Sequence, residues 1–140
     1  MVKPLRDGQG AVTLWFPGGD IVAARVTGHV GADLVGRTFA EIDRYAATDV
    51  HPGRGFIDLS AMTTFDWEAR LAFLRWNVAN RLKATRVDLL VESWIVRLAL
   101  GALATILGDR MVAHEDRTSF EAAYAAALDG LRDARSSAHA

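Results

Sequence analysis

Apolar and polar positions along this chain follow two rhythms, and each change of rhythm predicts a change of secondary structure. Residues 11–16 (Ala-Val-Thr-Leu-Trp-Phe) are a short β-like run that stops at Pro17-Gly18-Gly19-Asp20, a turn in which Gly18 or Gly19 can supply a positive φ. Residues 21–30, rich in β-branched side chains, follow, so 11–30 reads as an antiparallel hairpin. Gly28 near its end predicts a bulge or a crowded backbone approach. Two more apolar strands, 55–60 (Gly-Phe-Ile-Asp-Leu-Ser) and 86–93, flank an amphipathic stretch at 66–83. Strand, helix, strand in that order is the pattern of a parallel βαβ unit.

The helical rhythm appears first at 32–48, where Leu34, Val35, Phe39, Ile42, Tyr45 and Ala46 form a stripe. Residues 51–55 break it as a loop. In the 66–83 helix Asp66 is placed as the N-cap, and Glu68 suits the first turn. A helix at 94–107 ends at Gly108, and 111–115 is a weak strand. Thr118-Ser-Phe-Glu121 reads as a capping box for a last helix with core face Phe120, Ala123, Tyr124, Ala127, Leu128 and Leu131. The predicted architecture is a single α/β domain over 11–131, with 1–10 as an extension and 132–140 as a flexible tail. Its sheet is mixed and mainly parallel, of about five strands, with an N-terminal hairpin and four helices.

Composition narrows the function. A chain of 140 residues, half of them hydrophobic, can bury one core. A net charge of −1, with no run of five like charges, gives no field that would recruit nucleic acid. The absence of cysteine excludes disulfides and thiol catalysis and fits a reducing, cytoplasmic setting. The four histidines, His29, His51, His114 and His139, lack metal-binding spacing, so no metal or cofactor is expected. His114-Glu-Asp116 is the best placed of them, and clustering with carboxylates would strengthen it. Ser60 and Ser93 each follow a strand, but neither stands in a Gly-x-Ser-x-Gly elbow. No phosphate loop is present. An enzyme is therefore not expected.

Phe56-Ile-Asp-Leu-Ser60, leading into Thr64-Phe-Asp66 and a helix, resembles the STAS-like family, which includes the bacterial anti-sigma-factor antagonists and a sister group likened to the CRAL-TRIO lipid-transfer domain. The resemblance covers roughly residues 11–131, and 107–121 looks like the family's last strand and helix entry. It implies a regulatory domain working through protein contacts, with Ser60, Thr63, Thr64, Asp66 and Glu68 at the switch-loop positions. In the antagonists an Asp-Ser-Ser-Gly segment opens the helix, and a serine there is phosphorylated. Here the aligned residues are Asp66-Trp67-Glu68-Ala69, so the switch itself is not carried over.

Two helices carry more apolar surface than one sheet face needs. At about 100° per residue, Trp67, Leu71, Leu74, Val78 and Leu82 share one face of the 66–83 helix, and Ala69, Phe73 and Trp76 share the opposite one. The second stripe fits either under a neighbouring helix of the same chain or at a protein interface. In the 94–107 helix Arg97 and Thr105 are the only polar residues. Its fourteen residues span about 21 Å, too short for the roughly 30 Å of a bilayer core, so no transmembrane segment is expected. The apolar faces fit a subunit contact, a peripheral membrane dip or the wall of a pocket, and two functional readings stay open. One is a protein-docking domain, a homodimer through Phe73, Trp76, Trp94, Arg97 and Leu100. The other is a binder of lipid or another apolar molecule in a pocket lined by the two helices.

Overall fold

The strands lie side by side in the order in which the chain makes them. The computed structural model describes residues 2–46 and 53–139, and its sheet runs β1 (Val2–Arg6), β2 (Gly10–Gly18), β3 (Ile21–Val30), β4 (Arg54–Phe65), β5 (Arg86–Leu90), β6 (Met111–His114). The first three strands are antiparallel, and β3 to β6 are parallel. Phe56 pairs with Asp88 and Ile57 with Leu89, so the expected parallel neighbours are neighbours. Gly28 meets both of its expectations. The β3–β4 register slips between Gly28 and His29. At φ 74°, a Cβ on Gly28 would also stand 2.6 Å from the Gln9 carbonyl oxygen.

Crossovers of one hand between strands laid down in sequence put their helices on one face. α1 (Ala32–Ala46), α2 (Trp67–Ala79), α3 (Trp94–Ala99) and α4 (Gly101–Leu107) cover that face, and α5 (Arg117–His139) covers the other. Strand alternation serves both layers. Leu14, Ala24, Leu59 and Leu89 face the four helices, while Ile21, Ala23, Phe56 and Leu90 face Phe120 and Tyr124 of α5. Each fully buried leucine contributes about 1.5–3 kcal/mol. No helix of the described residues is long and apolar enough to cross a membrane.

Several local expectations need correction. Residues 2–6, expected as an extension, are an edge strand that tolerates Pro4 because its outer side needs no ladder bond. Residues 132–139, expected as a tail, continue α5, as their alanines and arginines favour. The 94–107 helix breaks at Leu100, where ψ is −1°, just before Gly101. The last helix is capped by Asp116, not Thr118: its carboxylate accepts the Ser119 N–H at 2.8 Å. His51 lies outside the described residues.

Candidate functional site

Under α2 the packing of the four-helix face does not close. A half-open apolar cavity of about 180 Å³ lies between the sheet and helices α1 to α3. Its floor is made of small or short side chains, with Gly55 and Ala24 beside Leu59 and Val87. Phe39 and Ile42 of α1 form one wall, Phe73 and Trp76 of α2 the roof, and Val96 of α3 with Leu100 just past its end one end. The Trp76 ring stacks on Phe39 at 4.2 Å and donates its indole N–H to Asp43 at 3.2 Å. These contacts lean α2 on α1 and hold it off the sheet.

The polar side chains bordering the cavity are Thr38, Arg70, Asn77, Asn80 and Lys83. Thr38 Oγ1 donates to the Leu34 carbonyl, Arg70 Nε to that of Ala99, and Asn80 Nδ2 to that of Trp76. Asn77 is 8 % exposed, and its Nδ2 donates to the Phe73 carbonyl at 2.8 Å. The Arg70 guanidinium also lies over the Trp67 ring, 5.2 Å from its centre, and ties the start of α2 to the end of α3.

This geometry corrects the assignment of faces. Ala69, Phe73, Trp76 and Asn77 turn inward, while Trp67 and Val78 of the expected core stripe are exposed. Leu82, also placed on that stripe, lies beyond the end of the helix in a turn and is exposed. Phe73 and Trp76, proposed as interface residues, pack against Phe39 of their own chain. Leu100 is buried rather than displayed. The surplus apolar surface sits instead at Trp67 (62 % exposed), Trp94 (69 %), Ile95 and Leu98 (69 %). Arg97 does reach out of α3, donating to Glu115 at 2.7 Å and to the Val91 carbonyl at 3.2 Å.

The switch-loop positions divide between the two faces. Ser60 lies within β4 and is fully engaged: its N–H and hydroxyl both donate to Asp58 Oδ1, and Arg117 donates to the Ser60 hydroxyl and to Asp58 Oδ2. Burial would raise the Asp58 carboxyl, but those Ser60 and Arg117 bonds outweigh it and hold it below the ordinary carboxylate range. Thr63 and Thr64 are exposed. Asp66 stands at the N-cap of α2 without capping it; its carboxylate sits 2.9 Å from His29 Nε2, and Thr64 Oγ1 is 2.6 Å from His29 Nδ1. Glu68 is exposed.

A second polar network escaped the sequence reading. Asp88, wholly buried, takes both arms of Arg86 and the Nε2 of His114 at 2.7 Å, and Ser119 is 2.6 Å from His114 Nδ1. Burial opposes its ionisation, yet the Arg86 and His114 bonds keep its carboxyl low. An aspartate and an arginine two apart on an otherwise apolar strand were the available signal. His114 does cluster with a carboxylate, though with Asp88 of another strand rather than with its sequence neighbours Glu115 and Asp116. Neither hydroxyl–imidazole–carboxylate set borders the cavity. Among the described residues no group of three or more acidic or histidine side chains could hold a metal ion.

No protein-family model and no curated protein sequence matches the chain. Solved structures do. The unphosphorylated anti-sigma factor antagonist SpoIIAA matches with a TM-score of 0.57 at 15% identity, over 86% of this chain and 97% of that one. The phosphorylated form of SpoIIAA, a Bacillus cell fate determinant, gives 0.56 at 15% identity, over 80% and 98%. An uncharacterised Shewanella loihica protein of the DUF3478 family gives 0.55 at 11% identity, over 85% and 88%. The fold is SpoIIAA-like, of the STAS type.

In this SpoIIAA-like fold the start of α2 is Asp66-Trp67-Glu68-Ala69, without a hydroxyl. The cavity runs the length of β4, from Gly53, Lys83 and Ala84 at the N-terminal end of β4 and β5 to Phe65 and Ala69 at the start of α2.

Proposed function

We propose that this domain is a non-enzymatic regulatory module that takes a small apolar molecule into the cavity roofed by α2. The cavity carries the reading: about 180 Å³ of half-open space lined mostly by apolar side chains leaves apolar surface in contact with water that a fitting ligand would cover. Toluene serves as the probe. Titrated into isotope-labelled protein, it should give saturable amide shifts centred on Ala24, Ala69, Phe73 and Leu100. Shifts that never saturate, or that scatter over the surface, would overturn the reading.

The exposed face formed by Trp67, Trp94, Ile95 and Leu98 supports a second role, contact with a protein partner, with a second copy of the chain as the first candidate. Light scattering at high micromolar concentration should give a dimer mass. Trp94→Glu with Leu98→Glu should return it to that of a monomer; a wild-type monomer mass would remove this role.

A further inference from the structure

We infer that the ligand of the cavity is a single-tailed amphiphilic anion of the medium-chain carboxylate class, its tail filling the space and its head held at the mouth by Lys83. The inference rests on the cavity reading and adds to it the shape and charge of the ligand.

Exposure marks the mouth. Among the described residues that line the cavity, Lys83 alone is exposed. It stands in the turn between α2 and β5, with Gly53 and Ala84 at the N-terminal end of β4 and β5. At the far end Ala69, Val96 and Leu100 are buried. A molecule entering from water at Lys83 therefore runs its inner end among apolar side chains.

The turn at the mouth gathers positive charge. Arg81 and Lys83 belong to it, and Arg110 reaches it from the far side of β5, its Nη1 donating to the carbonyls of Arg81 and Ala84. The rest of the Arg110 fork goes to the Leu107 and Ile106 carbonyls, and Arg81 Nη1 donates to that of Val78. None of these bonds brings in a negative charge. Among the described residues no carboxylate forms an ion pair with Arg81, Lys83 or Arg110, not even Asp109 beside Arg110. Asp43 of α1 accepts the Trp76 indole N–H instead. Arg70, the cation at the other end, is already engaged with the Ala99 carbonyl and the Trp67 ring. An anionic head at the turn meets this unbalanced charge. Lysine suits the role, because its ammonium is a compact charge on a flexible four-carbon stem and can meet a head at the rim while the tail stays covered.

Size limits the tail. An engineered cavity of about 150 Å³ admits the six carbons of benzene, so about 180 Å³ suits a single tail of about seven carbons, with the head left outside. The paired long chains of a phospholipid do not fit.

Octanoate and octanamide share that tail and differ in the charge of the head. A cavity that reads apolar area alone prefers the neutral amide, because a charge is the harder group to take from water. Calorimetric titration of the wild type should instead show octanoate binding more tightly, and octanoate should displace toluene. Lys83→Met keeps a stem of similar length and removes the charge. It should weaken octanoate about threefold or more and leave octanamide unchanged. If octanamide binds the wild type as tightly as octanoate, if Lys83→Met changes the two alike, or if octanoate leaves bound toluene in place, the inference fails while the cavity reading stands on toluene. If toluene does not bind, the cavity reading fails and the inference with it.

Discussion

Trp76 lies flat on Phe39, with ring centres 4.2 Å apart and planes 8° from parallel. The stack joins α2 to α1 above the cavity, so the two rings set how far α2 stands from the sheet. Removing one should let the roof sag and lose a large packed surface. Trp76→Ala is expected to cost about 2–4 kcal/mol in urea unfolding. A cost under about 1 kcal/mol would mean that the stack does not hold the roof.

The floor can be filled. Ala24, buried beneath the cavity, can extend into it, and each added buried methylene stabilises by about 0.8 kcal/mol. Ala24→Leu should therefore raise stability by about 1–2 kcal/mol and abolish toluene binding. In a closed core the same change would destabilise by about 1–3 kcal/mol, and that outcome would deny the open volume.

How much of this was legible in the chain depended on whether one neighbour or several decided a residue's place. The four main strands and the hairpin were readable, because period-two alternation and Pro17-Gly18-Gly19-Asp20 are local signals. The inner face of α2 was not. Both of its faces are apolar, and the choice was made by Phe39 on another helix. Nor could spacing show that Asp66 would bond His29 rather than cap its own helix. β1 was hidden by Pro4 and by a lack of alternating apolar residues, since an edge strand buries little. The histidine cluster needed Asp88, which comes from a different strand.

Acid should act through Asp88 and Asp58. Both carboxyls are held below their ordinary value of 3.8 in the folded chain, so the unfolded chain binds protons first as pH falls. Their stabilisation is complete above that value and is lost as pH drops through the folded range. Unfolding free energy should thus be flat above about pH 5 and fall below about pH 4. Asp88→Asn should flatten part of that slope and, by weakening the bonds to Arg86 and His114, cost about 1–3 kcal/mol at neutral pH. An unchanged acid slope in Asp88→Asn would contradict the assignment.

Phosphorylation should not switch the start of α2, because Asp66-Trp67-Glu68-Ala69 offers no hydroxyl. Mass spectrometry of protein taken from growing cells is expected to find no phosphate on Ser60, Thr63 or Thr64. Ser60 is held between Asp58 and Arg117, and Thr64 is bonded to His29. A stoichiometric phosphate on any of the three would reveal a displaced switch.

The central claim is that α2 roofs a real, enterable space. Crystals pressurised with xenon test it without reference to any natural ligand, since xenon occupies dry apolar cavities of this size. The account predicts a xenon atom among Leu59, Phe73 and Leu100 with the backbone of α2 unmoved. A crystal structure in which α2 rests directly on β4 and no xenon enters would contradict it.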